Sequence, residues 1–249
     1  MNNTDFNTLC AIWIFIAVAA FILLQFVTAP YGRHTKKGWG IEISNQWGWI
    51  IMELPSFLIM LYFSLVSNQN TYTLILFALW LIHYFNRTFV FPLRIKTKGK
   101  KMPLVIAISA IFFNAVNASL NGYYLSYLSG NNSSSVESIN FILGISFFAV
   151  GFFINQKSDH YLISLRKPGE RGYKIPIGWL FKYISCPNHF GEIIQWTGFA
   201  LMAYNYAALS FLIWTLANLV PRAIKHHRWY KEKFPEYPPN RKALIPWLI

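Results

Sequence analysis

The residues that point most directly to chemistry are polar groups set in stretches otherwise made of hydrocarbon. Glu53 lies in Trp49-Ile50-Ile51-Met52-Glu53-Leu54-Pro55. A carboxylate in such a setting is costly in lipid and marks a functional site. Pro55 removes one helical hydrogen bond beside it. Tyr84 lies in another apolar stretch, within His83-Tyr84-Phe85-Asn86-Arg87. Counted inward at the helical rise, Glu53 is ~9 Å and Tyr84 ~12 Å from the ends of their stretches, so the two reach similar depth. A tyrosine hydroxyl beside a carboxyl group can protonate a substrate oxygen or hydrogen-bond to it. The plainer alternatives are a Glu53 paired with a nearby arginine and a Tyr84 that only packs.

Three further sets repeat at a spacing of four, which puts their members on one helical face. They are Asn155 with Asp159, Asn188 with Glu192, and Arg222 with His226 and Tyr230. Snorkelling and capping would explain any one of them. Three sets at the same end of their stretches, next to the basic segment Arg166-Lys167-Pro168-Gly169-Glu170-Arg171, suit a nucleotide with its ribose hydroxyls and phosphates. No G-x-G-x-x-G follows a strand and there is no P-loop, so a dinucleotide site here is not of the Rossmann type. No H-x-x-x-H or C-x-x-C occurs, and no metal site is expected.

The elements that position these groups are membrane helices. The 249 residues are 55% hydrophobic and only 12% charged, about half the charged share of a soluble domain. That leaves too few polar residues to cover a soluble surface. Seven spans are expected, at 7–29, 47–66, 72–92, 103–128, 139–155, 190–204 and 206–224, with a very tight reversal at Tyr204-Asn205-Tyr206. All 22 Lys and Arg lie in or beside the first, third and fifth loops or the tail. The other connections hold none, so the positive-inside rule places the N-terminus outside and the C-terminus in the cytoplasm. The fifth loop, 156–189, is long enough to be functional.

The fold class is therefore an all-α integral membrane protein, with residues 1–249 as a single seven-helix domain. The formal charge of +13 follows the loops, so nucleic acid is not an expected partner. Cys10 and Cys186 lie near opposite faces and form no disulfide framework. No cleavable signal peptide is expected, because no basic residue precedes the first span.

At these residues the chain resembles the steroid 5-alpha-reductase family, over most of its length. The matching pieces are Tyr31-Gly32-Arg33-His34-Thr35, Glu53-Leu54-Pro55-Ser56-Phe57, His83-Tyr84-Phe85 and Arg87-Thr88-Phe89-Val90. They continue with Gly122-Tyr123-Tyr124, Ser158-Asp159, Leu165-Arg166-Lys167-Pro168-Gly169-Glu170, Gly191-Glu192-Ile193-Ile194, His226-His227-Arg228 and Arg241-Lys242-Ala243-Leu244-Ile245-Pro246. Their order and spacing together are specific.

The resemblance implies a seven-helix bundle that holds NADPH against an apolar cavity open to the membrane. Helices within about 1–128 would serve the substrate and the part from about 139 to 249 the cofactor. Hydride would pass from the nicotinamide to C5 of a 3-oxo-Δ4 steroid. Glu53 in its protonated form and Tyr84 would hydrogen-bond the C3 carbonyl oxygen, whose developing charge needs positioned donors. By family pattern the cofactor contacts are Tyr31, Trp49, Asn155, Asp159, Arg166, Tyr173, Asn188, Glu192, Arg222, His226 and Tyr230. Lys100 is a candidate partner for the 2′-phosphate. Met52 stands where a Gln often precedes the Glu, Phe91 where a Tyr can line the cavity, and Asn114 and Ser109 also depart from some relatives. These changes keep the reaction type and loosen the case for a particular steroid.

Other readings remain open at this point. Reductases of enoyl-CoA or polyprenal substrates share the scaffold. An isoprenylcysteine-type methyltransferase using S-adenosylmethionine would give Glu53 and Tyr84 no role. A transporter would use Glu53 as a proton relay, but the chain lacks internal repeats. The partners expected are an apolar small molecule and the lipid bilayer, with the chain acting as a monomer. The location would be the inner membrane of a bacterium or the endoplasmic reticulum of a eukaryote.

Overall fold

A computed structural model describes residues 1–36, 38–68, 70–96, 99–130, 136–167, 170 and 172–249. Pro168, Gly169 and Arg171 of the basic segment, and most of the polar loop at 131–135, lie outside the described residues. The fold is nearly all helical, and six of its helices are long and apolar enough to cross a membrane. They are α1 (Asn3–Phe26), α2 (Asn45–Val66), α3 (Thr71–Phe85) with its continuation to Arg94, α5 (Leu104–Tyr123) with its continuation to Leu128, α6 (Ile139–Ser164) and α8 (Tyr206–Lys233). A π-helical turn, Asn86–Val90, carries α3 directly into a short α4 (Phe91–Arg94), and a second one, Tyr124–Leu128, extends α5. The seventh helix, α7 (Pro187–Ala203), has 17 residues.

Local chemistry sets the ends of these helices. Asn2, Asn70, Ser138 and Asn205 each accept a backbone N–H with the side chain at a helix N-terminus, satisfying donors that the helix leaves open. Between α7 and α8 the chain reverses on Tyr204, in the left-handed region at φ 42°, followed by the Asn205 cap. That is the tight reversal expected there.

Two boundaries differ from expectation. Helix α6 continues past residue 155 to Ser164, and α8 continues past 224 to Lys233. Hydropathy marks only the part of a helix that suits lipid, whereas the backbone hydrogen bonds persist beyond it. The connection expected at 156–189 therefore shrinks to 165–186. Two three-residue strands add to the helices. In an antiparallel pair, β1 (Glu42–Ser44) sets Ile43 opposite Met102 of β2 (Lys101–Pro103), which ties the start of α2 to the start of α5.

The most extensive packing is α6 on α7, α2 on α5 and α1 on α8. Glycines allow the first of these pairs to approach closely. A Cβ built on Gly191 would lie 2.5 Å from the Asn155 backbone nitrogen and 2.7 Å from the Gly151 carbonyl oxygen. One on Gly198 would lie 2.4 Å from the Gly144 carbonyl oxygen. These contacts are with backbone, so no side chain can move aside. Gly191→Ala is expected to lower stability by about 1–3 kcal/mol, the usual cost of overpacking, seen as an earlier thermal transition in detergent. An unchanged transition would show that the two helices can part without penalty. The core beside this seam is aromatic, with Trp80 and Trp196 both against Phe211 at ring separations of 4.7 and 4.6 Å.

The C-terminal tail fixes the approach to α7. Ser185 N–H donates to the Lys242 carbonyl at 2.8 Å and Cys186 N–H to that of Ala243 at 3.1 Å. The Ser185 hydroxyl lies 2.7 Å from His227 Nδ1 and 2.6 Å from the Tyr237 hydroxyl. Cys10 and Cys186 are both free and buried.

Candidate active site

A cavity of about 570 Å³ lies among α1, α2, α3, α5 and α8. Its lining is mainly apolar, with Trp13, Phe113 and Trp214 among the larger groups. Glu53 and Tyr84 both reach it, and both are buried. Glu53 belongs to the inner face of α2, where Met52, Glu53, Ser56 and Met60 recur at helical spacing. Tyr84 stacks on Trp80 at 5.3 Å, two residues before the π-helical segment. Beside it His83 is held against Gln195, whose Nε2 lies 2.9 Å from His83 Nδ1.

Asn114 on α5 stands between the two expected donors. Its Nδ2 donates to Glu53 Oε2 at 3.2 Å and to the Met52 carbonyl at 2.6 Å, and its Oδ1 accepts from the Tyr84 hydroxyl at 3.4 Å. Arg87, inside the π-helical turn, reaches the other side of the carboxyl group. Its Nη2 is 3.9 Å from Glu53 Oε1 and its Nη1 is 3.6 Å from Asp159 Oδ2. The guanidinium also lies over the rings of Trp49 at 4.7 Å and Phe91 at 5.1 Å. So Glu53 both faces the cavity and has an arginine neighbour, the two arrangements weighed from sequence as alternatives.

A second cavity, of about 270 Å³, adjoins the first, and Tyr31, Trp49, Arg87, Glu192, Leu219 and Arg222 line both. Its deep end is acidic and amide-rich. Asn188 Nδ2 donates to Asp159 Oδ1 at 3.1 Å, and Glu192 lies beside them on α7. Asn155 lines neither cavity. It sits behind this wall, 1% exposed, with Nδ2 donating to the Asn188 carbonyl at 3.1 Å and to Glu192 Oε2 at 3.3 Å.

The other end is cationic and aromatic. Arg222 lies 3.5 Å over the Tyr31 ring, and Lys100 Nζ donates to the Tyr173 hydroxyl at 3.2 Å. Arg166 lies over the same Tyr173 ring at 4.8 Å. Arg33 is enclosed by Tyr230, Trp229 and Tyr173 at 4.5, 5.1 and 5.4 Å. His226 Nδ1 is 2.9 Å from His34 Nε2. Burial and the neighbouring Arg222 and Arg33 lower the His34 pKa to about 4. His34 is therefore neutral near pH 7 and adds no charge.

Every residue expected on the cofactor side except Asn155 thus lines this second cavity. Both cavities draw on the first and second halves of the chain. Sequence reasoning gave no site role to Arg33, Arg87, Asn114 or His189. Arg87 carried a signal, being with Arg222 one of two Lys or Arg residues within the expected spans. So did Asn114, Asn117 and Asn121, three asparagines in the fourth span that are all buried. Arg33 Nη1 is buried without a partner among the described residues. A free guanidinium donor beside Lys100 and Arg166 fits an anion, and the acidic, amide-rich end fits hydroxyl and carboxamide groups. The residues present therefore fit a nucleotide. Among the described residues no group of His, Cys, Asp and Glu could hold a metal ion.

Comparisons with known proteins point to one family. The profile of the 3-oxo-5-alpha-steroid 4-dehydrogenase family matches residues 100–249. The chain is 41% identical to a steroid 5-alpha-reductase of Solanum lycopersicum, with all of both chains covered. It is 41% identical to the 3-oxo-5-alpha-steroid 4-dehydrogenase 1 of Rattus norvegicus, covering 94% of this chain and 92% of the relative. To the enzyme of the same name from Homo sapiens it is 37% identical, again over 94% and 92%.

Proposed function

The chain belongs to the steroid 5-alpha-reductase family, and on that premise we propose that it reduces the Δ4 double bond of 3-oxo-Δ4 steroids with NADPH. Family membership makes it an oxidoreductase with a lipophilic substrate. The observation that carries the finer reading is that Glu53 and Tyr84 share the wall of an apolar cavity that joins a cationic one at Trp49, Arg87 and Glu192.

Arg33, Lys100, Arg166 and Arg222 would hold the phosphates of NADPH, with Tyr173 and Tyr230 against its aromatic and ribose groups. Asp159, Asn188 and Glu192 would meet the nicotinamide end, with Asn155 steadying Glu192 from behind. When bound, the cofactor supplies the hydride that reduces C5. Glu53 and Tyr84 donate hydrogen bonds to the C3 carbonyl oxygen as negative charge grows on it, which lowers the barrier. This role needs the Glu53 proton on Oε1, since Oε2 already accepts from Asn114. A proton taken up from solvent at C4 completes the 5α-reduced ketone. The mainly apolar lining strengthens both donors.

The same reading keeps the whole chain as one seven-helix monomer, with the N-terminus outside and the cofactor side in the cytoplasm. In a bacterium that places it in the inner membrane, and in a eukaryote in the endoplasmic reticulum. Lys100→Met is expected to raise the KM for NADPH about 10- to 100-fold, the worth of a charge-assisted contact. The KM for NADH should stay unchanged. Equal losses for both cofactors would remove Lys100 from the 2′-phosphate.

The deciding experiment gives detergent-purified protein NADPH with testosterone or progesterone. Product is followed by mass spectrometry and by retention against 5α and 5β standards. A 5α product supports the assignment. NADPH binding without steroid turnover would redirect the search to enoyl-CoA or polyprenal substrates. Folded protein that binds S-adenosylmethionine in place of NADPH would bring the methyltransferase forward.

A further inference from the structure

We infer that Asn114 is a positioning residue that aims the two carbonyl donors, acting through its side-chain amide on Glu53 and Tyr84 together; this rests on the donor roles proposed above. All three polar positions of the amide are engaged. The two N–H groups go to the Met52 carbonyl at 2.6 Å and Glu53 Oε2 at 3.2 Å, and the oxygen accepts from the Tyr84 hydroxyl at 3.4 Å. The Met52 carbonyl can only accept, so an amide turned over would set two acceptors against each other. The backbone of α2 therefore fixes which way Asn114 faces.

That fixed orientation has two effects on the donors. Oε2 of Glu53 is committed as an acceptor, which leaves Oε1 as the oxygen that carries the proton. The Tyr84 hydroxyl meets Oδ1 at the outer limit of hydrogen-bond distance, so it is aimed without being held firmly. It can exchange Asn114 for a carbonyl oxygen at little cost. The other buried asparagines of α5 serve packing instead. Asn117 Oδ1 accepts from Trp13 Nε1 at 3.1 Å, and Asn121 Nδ2 donates to the Ala207 carbonyl at 3.3 Å. Of the three, Asn114 alone binds both proposed donors through one amide.

The test compares steady-state kinetics of the full chain in bilayer discs for Asn114→Leu, which keeps the branching of the side chain and removes the amide. It is combined with Glu53→Gln and with Tyr84→Phe, and NADPH binding and thermal stability are measured on each variant. Asn114→Leu is expected to lower kcat for the steroid about 10- to 100-fold, with NADPH affinity unchanged. In each of the other two backgrounds its further effect should shrink several-fold, because a residue that acts through a donor loses that effect once the donor is gone. Effects that multiply in full in both backgrounds would overturn the inference. So would a loss of NADPH affinity equal to the loss of kcat. If Asn114→Leu does not fold, Asn114→Asp carries the same cycle, since it keeps the oxygen facing Tyr84 and replaces the amide donor. Full coupling to Glu53 and none to Tyr84 is then expected, and the reverse pattern overturns the inference. Failure of the underlying reading shows separately, as normal turnover by Glu53→Gln and Tyr84→Phe with Asn114 intact.

Discussion

Tyr84→Phe and Glu53→Gln are each expected to lower kcat for 3-oxo-Δ4 steroid reduction by about 10²- to 10³-fold, the cost of removing one oxyanion donor. Neither residue lines the cationic cavity, so NADPH affinity should not change. Tyr84→Phe removes one oxygen and keeps the ring that stacks on Trp80, so stability should hold. Glu53→Gln keeps an N–H in roughly the same place. An amide is a far weaker acid than a carboxyl group, and it offers less as the carbonyl oxygen becomes anionic. The diagnostic is the split between constants. A fall in kcat and in kcat/KM together marks a contact made in the transition state. A rise in KM at unchanged kcat would reduce both residues to binding groups and sink the mechanism.

The largest effect on stability is expected at Arg87. This guanidinium lies between two buried carboxyl groups, those of Glu53 and Asp159, at 3.9 and 3.6 Å. With Glu53 protonated, Arg87→Met would leave the Asp159 carboxylate without its cation in a setting of low dielectric, at a cost of about 3–5 kcal/mol. Arg87→Lys should also lose stability, because a point charge cannot span two partners as the guanidinium fork does. Adding Asp159→Asn to Arg87→Met should recover part of the loss, since it removes one uncompensated charge. Thermal melting of the purified variants in detergent measures each effect. An Arg87→Met variant that melts like the parent would mean that water or counterions already neutralise the Asp159 carboxylate.

Sequence reasoning reached the parts of the site that a membrane makes expensive. Glu53 stood out because a carboxylate among Ile, Met and Leu needs a reason to be there. The sets at 155/159, 188/192 and 222/226/230 were legible because spacing within one helix survives without knowledge of its neighbours. Contacts between helices were not legible. Arg33 is brought beside Tyr173, Trp229 and Tyr230 from a loop near the other end of the chain, and no periodicity foretells that. Asn114 looked like a departure from relatives, and only the approach of α2 and α3 reveals its three partners. The Asn86–Val90 turn was hidden for a different reason, since π-helical winding has no composition of its own. Helix ends were misplaced where α6 and α8 leave the apolar zone, because hydropathy reports the solvent and not the hydrogen bonds.

The lining of the apolar cavity also decides what its substrate concentration means. Ile16, Val27 and Phe112 belong to that lining and are 42%, 42% and 62% exposed. At these residues the cavity borders the medium that α1 and α5 face. A steroid partitioned into that medium meets the protein at its mole fraction among lipids. The same amount of steroid spread through twice the lipid should therefore halve the rate below saturation, although the total steroid per volume of sample is the same. Apparent affinities measured in different detergents or vesicles would then be comparable only after surface dilution is taken into account.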